Sequence, residues 1–165
     1  MYQKRLNGYA SMGYKAKSEE ITDTPLDIIF NKDNFLPVFN QDIVAAKKEI
    51  LIVSPFVRKR RTQQMMQQLK IPISKNIRVS AVTRPQDDFA AKDHASLQNT
   101  LNLLTANGVN VIFKSNIHQK FAIIDQKVVW YGSINMLSYG SAQESIMRIE
   151  SSNIANELMK SIEEA

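Results

Sequence analysis

Short runs of aliphatic and β-branched residues alternate along the chain with segments in which apolar residues recur every three or four positions. The strand-like runs include 49–54, 78–82 and 109–113, and helical periods run through 62–69 and 97–104. Helices and strands that alternate in this way pack in layers, with helices covering the faces of a sheet. The sequence therefore predicts an α/β fold.

The rest of the chain from residue 26 onward shows the same alternation of strand-like and helical segments. The further predicted strands are residues 26–30, 118–125, 128–133 and 145–149. The further predicted helices are one that begins after an N-cap at Asp33 and one whose apolar face carries Ile154, Leu158 and Ile162.

A single domain is expected from the length of 165 residues, because a chain of this size usually forms one core. Residues 1–25 are polar, contain interspersed basic and tyrosine residues, and show neither a helical nor a strand period. We therefore predict a flexible linker or tail at 1–25 and one domain at 26–165.

The absence of certain sequence features restricts the type of site and the location. The chain has no cysteine, which excludes disulfides, thiolate nucleophiles and cysteine-bound metals. No apolar run approaches the roughly 18–20 residues that cross a bilayer. The N-terminal residues have no apolar core after their basic residues, so they do not resemble a secretory signal. We expect a cytoplasmic protein with no membrane partner.

The charge balance favours a polyanionic partner. The chain has 21 Lys and Arg against 16 Asp and Glu, a net charge of +5, and a pI near 9.4. Many soluble proteins are equally basic, so the placement of the charge matters more than its sum. Four consecutive bases, Arg58, Lys59, Arg60 and Arg61, begin a predicted helix, where positive charge is mildly unfavourable and favours a bound anion. Two interpretations stay open: a solvated helix start and a phosphate contact.

A group of polar residues in the last third of the chain suits an anionic substrate. On a strand, His118 and Lys120 point to the same face and Asp125 to the other. An imidazole can attack or transfer protons near neutral pH, and a nearby ammonium can hold phosphate oxygens. By the same alternation, Ser133 and Asn135 share a face at the end of the next strand. A histidine and a lysine alone would equally fit a structural role.

The spacing of these residues is more specific. It reads His-x-Lys, four residues, Asp, six residues, then Gly-Ser-x-Asn. This resembles the HKD motif of the phospholipase D superfamily, and the matching residues are His118, Lys120, Asp125, Gly132, Ser133 and Asn135. Within the superfamily, the chain is most similar to the single-motif, nuclease-type branch. Residues 82–85 and 117–121 resemble those of modules appended to bacterial helicase or ATPase chains. The resemblance covers about 26–163 and implies a mixed β-sheet flanked by helices.

The resemblance also implies a mechanism. One histidine attacks phosphorus to form a phosphohistidine, and a second histidine protonates the leaving oxygen. This chain has one motif, and His94 lacks the surrounding pattern, so a homodimer is expected in which two copies of His118 face each other. The roles implied for the other residues are contacts of Lys120, Asn135 and Ser133 with the phosphate oxygens, a hydrogen bond between Glu144 and the far ring nitrogen of His118, and a structural role for Asp125. No cofactor and no metal are implied.

Two main functions follow. The first is a metal-independent phosphodiesterase, a nuclease acting on DNA or RNA, with the basic run 58–61 and Arg84 lining the approach. The second is a non-catalytic nucleic-acid-binding or dimerisation module of a larger helicase or ATPase. Phospholipid hydrolysis is a weaker alternative, because the sequence offers no convincing amphipathic anchor.

A metal site is a further alternative. Its ligands would be His118, His94, Asp87, Asp88 and Asp93. These residues show no recognisable ligand spacing, so the sequence gives this alternative little support.

Overall fold

The computed structural model describes residues 28–164, so the predicted tail at 1–25 and the first residues of the strand predicted at 26–30 lie outside the described part. The strands are β1 (Ile29–Asn31), β2 (Glu49–Val53), β3 (Arg78–Thr83), β4 (Asn110–Phe113), β5 (Phe121–Ile124), β6 (Val128–Gly132) and β7 (Ser145–Glu150). The α-helices are α1 (Phe35–Ala45), α2 (Lys59–Ser74), α3 (His94–Ala106) and α4 (Ser152–Glu163). Two short 3-10 helices, Gln86–Asp88 and Ala91–Asp93, precede α3.

The strands of the described chain form one mixed sheet in the order β1-β7-β6-β5-β2-β3-β4. β2, β3 and β4 are parallel, with α2 and α3 as their crossovers, and the other pairs are antiparallel. Parallel neighbours need a long crossover, which explains why helical segments separate these three strands in the sequence. The predicted single-domain α/β fold with a mixed sheet flanked by helices is confirmed.

One face of the sheet is covered by α1, α2 and α3. Phe35 and Phe39 of α1 pack against Trp130 of β6, whose indole is fully buried. The indole N–H donates to Asp42 Oδ2 at 2.8 Å, and Arg148 of β7 donates to both oxygens of the same carboxylate at 2.7 and 2.8 Å. The Trp130 N–H and the Arg148 guanidinium therefore both have the Asp42 carboxylate as acceptor, and these bonds fix α1 against β6 and β7.

The opposite face is covered by α4. Its buried residues Ala155 and Ile162 belong to a cluster with Phe121, Ile123 and Val129 of the sheet. Since successive residues of a strand point to opposite faces, β5 contributes to both cores. None of the helices among residues 28–164 combines the length and the apolar character that a bilayer crossing needs.

Helix α1 begins one residue later than predicted. Its N-cap is Asn34 rather than Asp33. The side-chain oxygen of Asn31 accepts hydrogen bonds from the backbone N–H groups of Asp33 and Asn34, at 2.8 and 3.1 Å. These bonds form a turn at the end of β1, and the helix starts only after it.

The topology brings seven chain segments to one end of the sheet. β1, β2, β3, β4 and β6 finish there, and β5 and β7 begin there, as the strand pairings show. We call this the carboxyl end of the sheet, after its parallel strands. Residues just outside these strand termini are therefore neighbours in space, although they are far apart in sequence.

Candidate active site

His118 and Lys120 lie in a loop at the carboxyl end of the sheet and not on a strand. β5 begins at Phe121, so the strand predicted at 118–125 is wrong at its start. Asn116 has φ of 59°, a left-handed conformation that no strand residue adopts, and it turns the chain immediately before His118. The strand alternation argument therefore does not apply to His118 and Lys120; the loop sets their positions.

The His118 side chain is exposed, and its imidazole makes no hydrogen bond within the described chain. The Lys120 ammonium donates to the backbone carbonyl of His118 at 2.8 Å. The cation is thus held within two residues of an imidazole whose nitrogens are open to other groups. This pair can present a nucleophile or a proton carrier beside a positive charge.

Ser133 joins the end of β6 to the start of β7. Its hydroxyl donates to the carbonyl of Ser145 at 3.4 Å and accepts from the Ser145 N–H at 3.2 Å. The backbone N–H of Ser133 also donates to the Ser145 carbonyl, at 2.9 Å. Within one chain the Ser133 hydroxyl links the end of β6 to the start of β7. To contact a phosphate oxygen, as the resemblance implies, it would have to exchange Ser145 for that oxygen.

Gly132 allows the close approach of these two strands. A Cβ at this position would lie 2.7 Å from the Cα of Ile146, and closer still to the Ser145 carbonyl oxygen. No side chain fits there, which gives a physical reason for the glycine in the motif.

Asn135 has an unused hydrogen-bonding atom. Its side-chain Oδ1 is buried and has no partner within residues 28–164. Its backbone carbonyl is occupied, accepting from the N–H groups of Ser138 and Tyr139 at 3.1 and 2.8 Å. A buried polar atom left unpaired costs about 1–3 kcal/mol, so an amide in this state suits a group that arrives from outside.

Glu144 lies directly before β7, at the same end of the sheet, and is partly exposed. Within the described residues it makes no hydrogen bond to His118, so the expected bond between them is absent from the single chain. Glu144 thus lies at the same end of the sheet as His118, and its carboxylate has no partner within residues 28–164.

Asp125 lies at the opposite end of the sheet and does not belong to this site. Its carboxylate accepts hydrogen bonds from the backbone N–H groups of Lys47, Lys48 and Glu49, the shortest being 2.7 Å. Burial raises the pKa of Asp125, but these three bonds outweigh it and hold the pKa below its ordinary value. Asp125 ties the β5–β6 corner to the start of β2, which is the structural role expected for it.

The basic run starts α2 beside the site. The Arg58 N–H donates to the carbonyl of Leu137 at 2.8 Å, which brings the run to the segment after Asn135. Arg58, Lys59 and Arg60 are exposed. Arg61 is not: its guanidinium lies 3.8 Å from the ring centroid of Tyr139 and donates to the Tyr139 carbonyl at 2.9 Å.

Arg84 is largely buried rather than exposed to a ligand. Its Nε donates to Asp88 Oδ2 at 3.0 Å, and its guanidinium lies near the rings of Phe56 and Phe89. The same Asp88 oxygen accepts from the Asn116 N–H at 3.0 Å. The Asn116 bond, followed by the Arg84 bond, lowers the pKa of Asp88. Asp88 therefore holds the turn that leads into His118.

The sequence offered no signal for this role of Asp88, because the group that it holds is a backbone N–H that lies beyond β4.

The residues of the alternative metal site do not come together: no group of three or more His, Cys, Asp or Glu within residues 28–164 could hold an ion. His94 begins α3, and its Nε2 lies 2.9 Å from the carbonyl of Phe89.

Comparisons with known proteins identify relatives of the chain and of its fold. The family model described as cardiolipin synthase, PLD-like domain, matches residues 39–165. A search against curated proteins found no match. Among solved structures, the chain is similar to a phospholipase D family member, Nuc, from Salmonella typhimurium, with a TM-score of 0.64 and 15% identity over 82% of this chain and 90% of that one.

Two further structures share the fold. NucT from Helicobacter pylori has a TM-score of 0.65 and 18% identity, over 82% of this chain and 92% of that one. The archaeal chromatin protein TrmBL2 has a TM-score of 0.55 and 12% identity, over 99% of this chain and 64% of that one.

Proposed function

The chain belongs to the phospholipase D superfamily, and on this premise we propose that it is a phosphodiesterase that cleaves DNA or RNA through His118. One observation carries the proposal: within residues 28–164 the His118 imidazole is exposed and unpaired, and the Lys120 ammonium is held on the backbone carbonyl of His118. An unpaired nucleophile next to a cation is an arrangement for attack on an anionic ester.

The proposed reaction has two steps. A nitrogen of His118 attacks phosphorus, the bond from phosphorus to the leaving oxygen breaks, and a second histidine gives its proton to that oxygen. Water then attacks phosphorus and gives a proton to the second histidine, while the bond from phosphorus to the His118 nitrogen breaks and the phosphate end of the substrate is released. His118 is free again and the second histidine is protonated again. Lys120 stabilises the charge on the non-bridging oxygens in both steps.

The second histidine is proposed to be His118 of another copy. The chain contains two histidines, and the other one, His94, bonds to a backbone carbonyl at the start of α3. A homodimer with its axis at the carboxyl end of the sheet would pair two copies of His118. It would also offer partners to Glu144 and to the Asn135 amide, neither of which has one in the single chain.

The exposed bases favour nucleic acid as the substrate. Arg58, Lys59 and Arg60 stand beside the segment that carries Asn135 and can contact phosphates flanking the one that is cleaved. TrmBL2, which has the same fold, is described as binding DNA. A phospholipid phosphodiester is the second candidate, favoured by the description of the matching family model as cardiolipin synthase.

The test is cleavage of labelled single- and double-stranded DNA and RNA in excess EDTA, with phosphatidylglycerol vesicles as a parallel substrate. Wild type, His118→Ala and the control His94→Gln are compared at matched oligomeric state. We expect wild type and His94→Gln to cleave nucleic acid and His118→Ala to lose the activity. Cleavage that persists in His118→Ala refutes the proposed nucleophile. Binding without cleavage favours the non-catalytic module of a helicase or ATPase, and turnover of lipid alone favours the second candidate.

A further inference from the structure

Phe56 is an exposed aromatic residue at the carboxyl end of the sheet, in the connection between β2 and α2. Its side chain is 39% exposed. Its ring meets the ring of Phe89 edge to face, with centroids 5.7 Å apart and planes at 74°. The guanidinium of Arg84 lies 5.8 Å from its centroid. Phe56 thus has a packed side and an open side.

The support beneath this ring is fixed by hydrogen bonds. The Ser54 hydroxyl donates to the Phe56 carbonyl at 2.7 Å, and Asp88 holds Arg84 in place at 3.0 Å. The Arg84 N–H donates to the carbonyl of Pro55 at 3.4 Å. A ring on such a support loses little conformational freedom when it binds a flat ligand.

Both segments that carry the candidate site are attached to this support. On one side, the Leu137 N–H donates to the Ser54 hydroxyl at 3.3 Å, two residues after Asn135. On the other side, Asp88 holds the Asn116 N–H at 3.0 Å, two residues before His118. Phe56 therefore borders the site between its two halves.

We propose that Phe56 stacks on an unpaired nucleobase next to the cleaved phosphate, so that single-stranded nucleic acid is the preferred substrate; this rests on the proposed function. Aromatic rings that stack bases, combined with cations that follow the backbone, are typical of sites for single strands. The cations are Arg58, Lys59 and Arg60 at the start of α2, and the first of them follows Phe56 by two residues. A base in a duplex is already stacked on its neighbours, and a glycerol phosphate headgroup has no flat ring to offer.

The test measures whether the loss of kcat/KM on removing the Phe56 ring depends on a nucleobase being present next to the cleaved bond. The variants are Phe56→Leu, the conservative Phe56→Tyr and the control Phe113→Leu, which removes another phenyl ring, 49% exposed, from the end of β4. Each is assayed for kcat/KM on a labelled single strand and on the same strand with abasic nucleotides flanking the cleaved bond.

We expect the abasic nucleotides to lower kcat/KM of wild type, Phe56→Tyr and Phe113→Leu about tenfold, as loss of one stacked base does. Phe56→Leu should be about tenfold slower on the intact strand and insensitive to the abasic change. An equal abasic effect in Phe56→Leu and wild type would overturn the proposal, as would faster cleavage of duplex than of single strands by wild type.

The outcome also separates this proposal from the proposed function. If wild type cleaves nothing, the nuclease proposal fails, and the same comparison is made on Kd by fluorescence anisotropy. An abasic effect on Kd in wild type that disappears in Phe56→Leu would still support stacking. An effect of equal size in both proteins would overturn it.

Discussion

Replacing Gly132 by alanine tests how the site is built, because this residue lies where β6 and β7 approach most closely. The new Cβ would lie 2.7 Å from the Cα of Ile146. Carbon atoms pack at about 3.5–4.0 Å, so β7 must move away by about 1 Å. Both neighbours are backbone, which cannot rotate aside as a side chain can. The shift strains the bonds between Ser133 and Ser145, of which the backbone bond is 2.9 Å long.

The magnitude follows from these contacts. Overpacking costs about 1–3 kcal/mol, and one weakened hydrogen bond adds about 1 kcal/mol, so we expect Gly132→Ala to lose about 2–4 kcal/mol of unfolding free energy. Asn135 follows Gly132 by three residues, and a displacement of about 1 Å in a catalytic group can cost about 100-fold in rate. Urea unfolding and cleavage assays measure the two effects.

Gly140→Ala is the matched control. A Cβ at Gly140 would meet no atom within 4 Å, so this variant should keep its stability within about 0.5 kcal/mol and retain full activity. If Gly132→Ala matches Gly140→Ala in both assays, the close approach of β6 and β7 does not position the site, and the reasoning is refuted.

Three carboxylates give further predictions. Asp125→Ala should lose about 1–3 kcal/mol at neutral pH, measured by urea unfolding, since three backbone N–H groups lose a charged acceptor. Its lowered folded pKa means that this stability is present above the unfolded pKa and disappears as pH falls through the folded pKa, so the variant should differ least from wild type in acid. Asp88→Asn should lower kcat severalfold in the cleavage assay, because the Asn116 turn is held less firmly. Asp42→Ala should cost about 2–4 kcal/mol in urea unfolding, because the buried Trp130 N–H loses its acceptor and the Arg148 guanidinium keeps only Glu150.

Each of these has an outcome that contradicts it. A constant difference between Asp125→Ala and wild type from pH 7 to pH 2 would exclude the linkage. An unchanged kcat in Asp88→Asn would show that the Asn116 turn holds itself. A loss below 0.5 kcal/mol in Asp42→Ala would show that water replaces the carboxylate.

Most of the fold is predictable from the sequence because its signals are local. The β-branched runs at 49–54 and 78–82 became neighbouring parallel strands, and the helical period through 62–69 became their crossover. The strand predicted at 118–125 starts at Phe121, because residues 118–120 lie in the loop that follows the left-handed turn at Asn116. An asparagine in a sequence does not reveal its φ, so the sequence does not show this loop.

The residues around the site were harder to predict than the site itself. His118 and Lys120 belong to a spaced motif, whereas Arg84 was judged only by its charge. Its partner Asp88 lies four residues away, in a 3-10 turn, and its aromatic neighbour Phe56 lies on another connection. Contacts between loops at different strand ends are set by the topology of the sheet, so the fold had to be known before Arg84 could be placed.

The single chain divides its polar groups at this end of the sheet into two kinds. The supporting groups are hydrogen-bonded: the Ser133 hydroxyl with Ser145, the Asp88 carboxylate with Asn116, and the backbone N–H of Arg58 with Leu137. The groups assigned to chemistry are open within residues 28–164, namely the His118 imidazole, the Glu144 carboxylate and the Asn135 amide oxygen. The proposed site would be completed by the substrate and by a second copy of the chain. Its reactive groups must therefore be positioned in advance by the hydrogen-bonded loops and still be free to bond.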